Sequence, residues 1–280
     1  MTDLVGAVTA LAGLPGIPEQ VDAVREACTR LRWHQALRRR IPEAAAESRV
    51  RGARASAELE GAPVPLERIR DVVRGAESWP AEPDPVERVA RGVVAATAES
   101  EHLGGLVVRA PMQALARLHV AAAAGLVPDE RLGRPRLPGE DCREVVDLGP
   151  APPAEEARER LLGVVEVLLA APRLPALVVA AVAHAEILSA RPFAQGNGVV
   201  ARALERCLVG ATGLDPTGVA VPELGHLRLG SPNYVGSLIA YGRGDAAGVA
   251  LWLRHCGAAL VAAAEEGERV ADAVLAGRLG

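Results

Sequence analysis

The chain has 280 residues, is 50% hydrophobic but only 2% aromatic, and carries 31 basic against 35 acidic residues for a formal net charge of −4. That length is enough to bury a sizeable core, as one large domain or two small ones, and a core of Ala, Val and Leu favours closely packed helices over an aromatic-rich β-sandwich. The acidic balance excludes an overall basic field of the kind that gathers nucleic acid.

Every basic residue is an arginine, a coding bias to which no function attaches. The Arg38-Arg39-Arg40 run reads as a solvated helix face. Cys28, Cys142, Cys207 and Cys256 are scattered, without the CxxC pairs of zinc or redox motifs. No signal-peptide pattern opens the chain. No uninterrupted run of about 18 apolar residues exists, the best candidate, Leu177 to Ala190, being broken by His184 and Glu186. A soluble cytoplasmic chain is expected, with no membrane and no nucleic-acid partner.

Helical spacing runs from about Pro18 to Arg40, then from about Pro42 to Glu60, weakened by Gly52 and stopped at Gly61 with Pro63 and Pro65 beyond. A short helix from Pro65 to about Arg74 precedes a Pro- and acid-rich linker, Glu77 to Pro85. Asp84-Pro85 then starts a helix as cap and first residue, with Val86, Val89, Val93 and Val94 along one stripe. Pro111 to about Ala124 is the next helix, and its His119 reads as a hydrogen-bonded structural residue. Residues 133–149 are irregular, with Pro138, Gly139 and two acids suited to a hairpin or loop. Pro152-Pro153 opens a helix to about Ala171. Gly213 to Gly230 is loop-rich, a helix follows Pro232-Asn233-Tyr234, and Asp245 caps a last core helix through about Glu266.

The organising stretch is HAEILSARPFAQGNGVVAR, His184 to Arg202. It reads as a helix, a short loop, and a second helix opening on Gly196-Asn197-Gly198. The first backbone N–H groups of a helix lack partners and carry roughly half a positive charge, and glycines allow an anion to approach. The tip is a candidate phosphate cradle, although Gly-Asn-Gly is also ordinary turn chemistry.

This spacing resembles the signature of Fic (Fido) proteins, HPFx(D/E)GNGRxxR, with a His seven residues upstream. Pro192, Phe193, Gly196, Asn197, Gly198, Arg202 and the upstream His184 match, and Phe193 is the only phenylalanine in the chain. Ser56-Ala57-Glu58-Leu59-Glu60-Gly61 resembles that family's inhibitory motif, (S/T)xxxE(G/N). The resemblance spans about Ser48 to Glu266. It implies an all-α Fic-type helical bundle with a small β-hairpin flap at about 133–149, where a target protein docks by main-chain pairing. It divides the chain into residues 1–83, with the inhibitory-like helix at about 42–61, and a core at 84–280. It also implies that Glu60 pairs with Arg202 across the nucleotide pocket, with Ser56 and Gly61 completing the motif. A homodimer is compatible with it.

In the family, the signature His takes a proton from a Ser, Thr or Tyr hydroxyl, which attacks the α-phosphate of ATP and receives AMP, while the acid holds magnesium. Here Arg191 stands at the His position, Gln195 at the acid and Val199 at the first Arg. A guanidinium stays protonated and cannot act as base, and losing a base typically costs about 10²- to 10⁴-fold in rate. A neutral amide is a poor magnesium ligand, so no magnesium is expected. His184, two helical turns before Arg191, is too distant to substitute. The cradle of Gly196, Asn197 and Gly198 with Arg202 is expected to be intact, able to bind a nucleotide such as ATP, or an acidic peptide, without performing transfer. Against this, Arg191 reads equally well as an internal ion-pair partner of Glu60 or another acid, making the pocket structural. The leading expectation is a Fic-type binding or regulatory module without AMP transfer. The alternatives are an active protein nucleotidyltransferase of unusual chemistry, and an unrelated helical interaction protein.

Overall fold

The computed structural model describes residues 3–144 and 146–278. Among them are twelve α-helices and no strand: α1 (Leu4–Leu11), α2 (Ile17–Arg32), α3 (Ile41–Leu59), α4 (Leu66–Arg74), α5 (Pro85–Glu99), α6 (Pro111–Ala123), α7 (Ala154–Ala170), α8 (Ala176–Ala190), α9 (Asn197–Ala211), α10 (Pro222–Arg228), α11 (Ser231–Gly242) and α12 (Ala246–Leu275).

The centre of the bundle is α8, apolar on every side because every side is packed. Twelve of its fifteen residues are buried, including Leu177 through Ala185 without interruption. It lies against α7 and α9, with α11 and α12 closing the far side. The indole of Trp252 on α12 donates to the Ala181 carbonyl at 2.8 Å, fixing one long helix to the central one. One hydrophobic cluster runs from Val8 to Val274 and is built mostly of Ala, Val and Leu.

Local chemistry sets the helix ends where it was read in the sequence. Asp84 and Glu87 form a reciprocal capping box around Pro85 at the start of α5, and Asp245 caps α12 through the Gly248 N–H at 2.7 Å. Three expectations are corrected. The first helical run ends at Arg32 and is followed by a separate 3-10 turn, Gln35–Arg38. The loop-rich stretch after Gly213 contains α10. The β-hairpin flap is absent among the described residues, where only the isolated bridges Ala124–Val127 and Arg143–Gln195 occur. The reason is that the segment pairs with the signature loop rather than with itself: the Arg136 N–H donates to the Pro192 carbonyl at 2.7 Å and the Arg143 N–H to the Ala194 carbonyl at 2.8 Å. Glu140 turns the chain between them by accepting from the Leu137 N–H and from Arg134. Val145 of this segment lies outside the described residues.

By length and composition α12 could cross a membrane, with mean hydropathy 1.4 over its most apolar 18 residues, but 56% of that window is buried against the bundle.

Candidate anion site at the tip of helix α9

The loop from Arg191 to Gly196 is rigid for reasons visible in its side chains. The Asn197 amide folds back across it, its Oδ1 accepting the Phe193 N–H and its Nδ2 donating to the Phe193 carbonyl, both at 2.9 Å. Phe193 stacks on the His119 ring at 4.2 Å between centroids. His119 Nδ1 accepts the Gly133 N–H at 2.9 Å, and its Nε2 faces the Gln195 carbonyl at 3.2 Å. Burial pushes its pKa down to about 4, so it is a neutral strut that pins two loops, as the sequence reading expected. Gly196 takes φ +82° as the residue before α9, a left-handed turn that aims the helix tip inward.

The tip carries the expected groups. Asn197 and Gly198 are buried in the first turn, and no acceptor for the Gly198 or Val199 N–H occurs among the described residues. Arg202, one turn further, is 1% exposed. Its Nε donates to the Ser56 hydroxyl at 2.9 Å and its Nη2 to Glu60 Oε1 at 2.5 Å. Burial alone would lower the guanidinium pKa, but the Glu60 carboxylate outweighs it and holds the charge in place. Nη1 is buried without a hydrogen-bond partner. It lies on the Gly198 side, 3.4 Å from where a Cβ at that position would stand. Such a Cβ would come within 2.3 Å of Glu60 Oε1, so glycine is what lets the carboxylate lie on the tip. Ser56 and Glu60 thus both meet Arg202, with Gly61 at φ +68° just past α3.

The hollow is filled by side chains, by Glu60 on Arg202 and by a second acid that the sequence did not point to. Glu144 reaches in from the 133–149 segment. One of its oxygens, Oε1, accepts both the Asn197 backbone N–H at 2.9 Å and Asn197 Nδ2 at 2.6 Å. Desolvation raises its pKa to about 7, with the Glu60 carboxylate adding to the rise and the Asn197 donors and Arg202 opposing it. Sequence reasoning missed Glu144 because nothing local distinguishes it from the neighbouring acids, Glu140 and Asp141. Its role follows from the path of the chain.

Arg191 is corrected as well. It closes α8 at φ +47°, the one non-glycine residue with positive φ among those described. Its guanidinium turns away from the cradle and donates to the Gly149 and Pro150 carbonyls, each at 2.7 Å. It pairs with neither Glu60 nor any other acid, and serves as a clamp on the start of α7. Gln195 keeps its backbone in the loop and supplies no carboxylate, so its position does not fit magnesium. Val199 is 3% exposed and belongs to the core. His184 is fully buried, with its nitrogens on Glu205 and Tyr234 at 2.7 Å each. It does not reach the tip.

No family model and no curated protein matches the sequence. Solved structures do match. A Fic family protein from Desulfovibrio desulfuricans is similar at TM-score 0.69 and 22% identity, over 90% of this chain and 74% of that one. Fic-1 from C. elegans is similar at TM-score 0.66 and 19% identity, over 89% and 71%. A Fic domain containing signaling protein from Bacteroides thetaiotaomicron is similar at TM-score 0.65 and 12% identity, over 90% and 98%. The chain has the Fic fold.

Proposed function

We propose that this is a Fic-fold binding and regulatory module whose anion site is occupied by its own carboxylates, and that it does not transfer AMP. One observation carries the reading. The two groups that fill the helix tip, Glu60 and Glu144, are both acids, set against the Asn197 N–H and the Arg202 guanidinium. An apolar plug would mean a site converted to core. Acidic plugs mean that the tip still presents its backbone and amide donors to oxygen ligands, a cradle that a phosphate oxygen occupies in place of Glu144 Oε1. The ligand is a phosphate-bearing molecule, with ATP the candidate, and its entry displaces Glu60 from Arg202 and Glu144 from Asn197. Arg202 Nη1, buried without an acceptor, is a donor that such an anion satisfies.

Absence of transfer rests on position. Arg191 faces Gly149 and Pro150 rather than the tip, and the imidazole beside the loop, His119, is engaged by the Gly133 N–H and the Gln195 carbonyl. A protein partner is assigned to the surface at 133–149, since the segment that carries Glu144 is the one a partner must move. The chain is assigned to the cytoplasm. The test is incubation with labelled ATP, magnesium and a cell extract: neither the chain nor a partner acquires covalent label. Label that is lost on Arg202→Ala contradicts the proposal.

A second reading has one observation in its favour. A carboxyl held near pH 7 at the tip has the proton affinity of a general base. On that reading Glu144 supplies the base that position 191 lacks, and the same labelling experiment gives label that Glu144→Gln abolishes.

A further inference from the structure

Behind the anion site, a second polar cluster lies wholly inside the bundle. His184 on α8, Glu205 on α9 and His226 on α10 are each 0% exposed. His184 Nδ1 and His226 Nε2 both lie 2.7 Å from the same carboxylate oxygen, Glu205 Oε2. The three ligand atoms lie within 4.8 Å of one another. The other oxygen, Oε1, is buried with no partner at all. The far nitrogens of both rings are also engaged, His184 Nε2 with the Tyr234 hydroxyl at 2.7 Å and His226 Nδ1 with His255 Nε2 at 3.1 Å.

From this convergence we infer that His184, Glu205 and His226 form a binding site for one divalent transition-metal ion of the zinc class. Three features point the same way. A carboxylate that merely accepted hydrogen bonds from two imidazoles would gain by using both oxygens; here two nitrogens crowd one oxygen and leave the other orphaned, which is the arrangement of monodentate ligation. The cluster also holds a carboxylate in the interior with no cationic side chain assigned to it. Its salt-bridge partners among the described residues are the two imidazoles, and Arg202 on the same helix is committed to Glu60. Buried charges are paired or bound to metal, and an ion among these ligands supplies the missing positive charge. Finally, each ring has a polar group on its outer nitrogen, the support that orients metal-binding imidazoles and fixes which nitrogen keeps its lone pair.

Two imidazoles and a carboxylate suit zinc or its neighbours and not magnesium or calcium, which take oxygen ligands. Binding requires small outward shifts, since ligand atoms on a tetrahedral ion at about 2.0–2.2 Å stand further apart than 2.7 Å. His255 is 9% exposed and lines an open pocket of about 590 Å³ with Asn233, Ser237 and Arg254, which gives the ion a way in past His226. The ion ties α8, α9 and α10 together below the anion site. It is separate from the position where the family acid would stand, and it does not depend on the proposed function.

The test uses the full chain without a histidine tag. Elemental analysis is expected to find about one equivalent of transition metal per chain. Chelation is expected to lower the melting temperature, and zinc to restore it. Cobalt substitution is expected to give ligand-field absorption of a nitrogen and oxygen set. Glu205→Gln, which keeps an acceptor but not the charge, abolishes stoichiometric binding. Should that variant fail to fold, Tyr234→Phe leaves the three ligands in place and weakens affinity by about 10- to 100-fold. A chain that purifies without metal, and whose melting temperature neither zinc nor cobalt moves, overturns the inference. So does undiminished affinity in the folded variants.

Discussion

Arg202 and Glu60, separated by 142 residues of sequence, meet at 2.5 Å in a site where neither is more than 5% exposed. The pair joins the end of α3 to the first turns of α9, and makes the end of one helix the roof over the tip of another. Removing one member of such a pair leaves the other charged, buried and unpaired. Glu60→Gly is expected to lower stability by about 3–5 kcal/mol in the absence of ligand. Polyphosphate at about a hundred times its dissociation constant is expected to return about 2.7 kcal/mol of it. Chemical denaturation with and without tripolyphosphate checks both; equal loss in the two conditions would mean that no anion replaces the carboxylate.

Glu144 ties the 133–149 segment to pH. Its folded-state pKa, about 7, stands above the ordinary value of 4.5, and the main cause is desolvation. The sign follows from linkage: the contribution is fully present below pH 4.5 and is lost as pH rises through 7, because ionising the half-buried, desolvated acid beside Glu60 costs free energy. Amide exchange of residues 133–144, corrected for its intrinsic pH dependence, is expected to speed up between pH 6 and 8. Glu144→Gln is expected to flatten that profile. An unchanged profile in the variant would place the pH response elsewhere.

The signature was legible because its matching positions are backbone-determined. Gly196 must adopt a left-handed turn, Gly198 must lack a Cβ, and Asn197 must bond across its own loop, so residue type reveals role. The ion pair of Glu60 with Arg202 was legible for a related reason, two motifs implying one contact. Arg191 was not. Its identity excluded a base, but its direction depends on where α7 begins, and residues 149 and 150 give no sign of needing a clamp. The flap misled because a segment with Pro, Gly and acids suits a hairpin equally well when its donors go to a neighbouring loop. The cluster around Glu205 gave one local hint, an acid set among the buried residues of α9.

The clamp itself makes a prediction. Arg191→Ala leaves the Gly149 and Pro150 carbonyls without their donor and keeps a side chain in the left-handed region. A loss of about 2–4 kcal/mol is expected, since hydrogen bonds from charged donors contribute about 1.5–3 kcal/mol each and partly overlap here. Arg191→His, although it restores the family residue, is expected to destabilise similarly and to confer no labelling from ATP. Thermal melts and the labelling assay check the two halves separately.

Gly52 interrupts the helical pattern of α3 for a spatial reason. A Cβ there would stand 2.4 Å from Arg206 Nη2 and 2.7 Å from Glu223 Oε2, the buried pair that packs across the helix. Gly52→Ala, a gain of about 1 kcal/mol in an exposed helix, is expected here to cost about 1–3 kcal/mol through overpacking. Urea denaturation decides the sign.

The central claim is that the tip of α9 remains an anion site held shut by Glu60 and Glu144. Calorimetry with ATP tests it most directly, comparing the chain as it stands with Glu60→Gly and with Glu60→Gly combined with Glu144→Gln. The expected result is no measurable binding to the unaltered chain, binding to the single variant, and tighter binding to the double. Folded variants that bind no more ATP than the unaltered chain would contradict it.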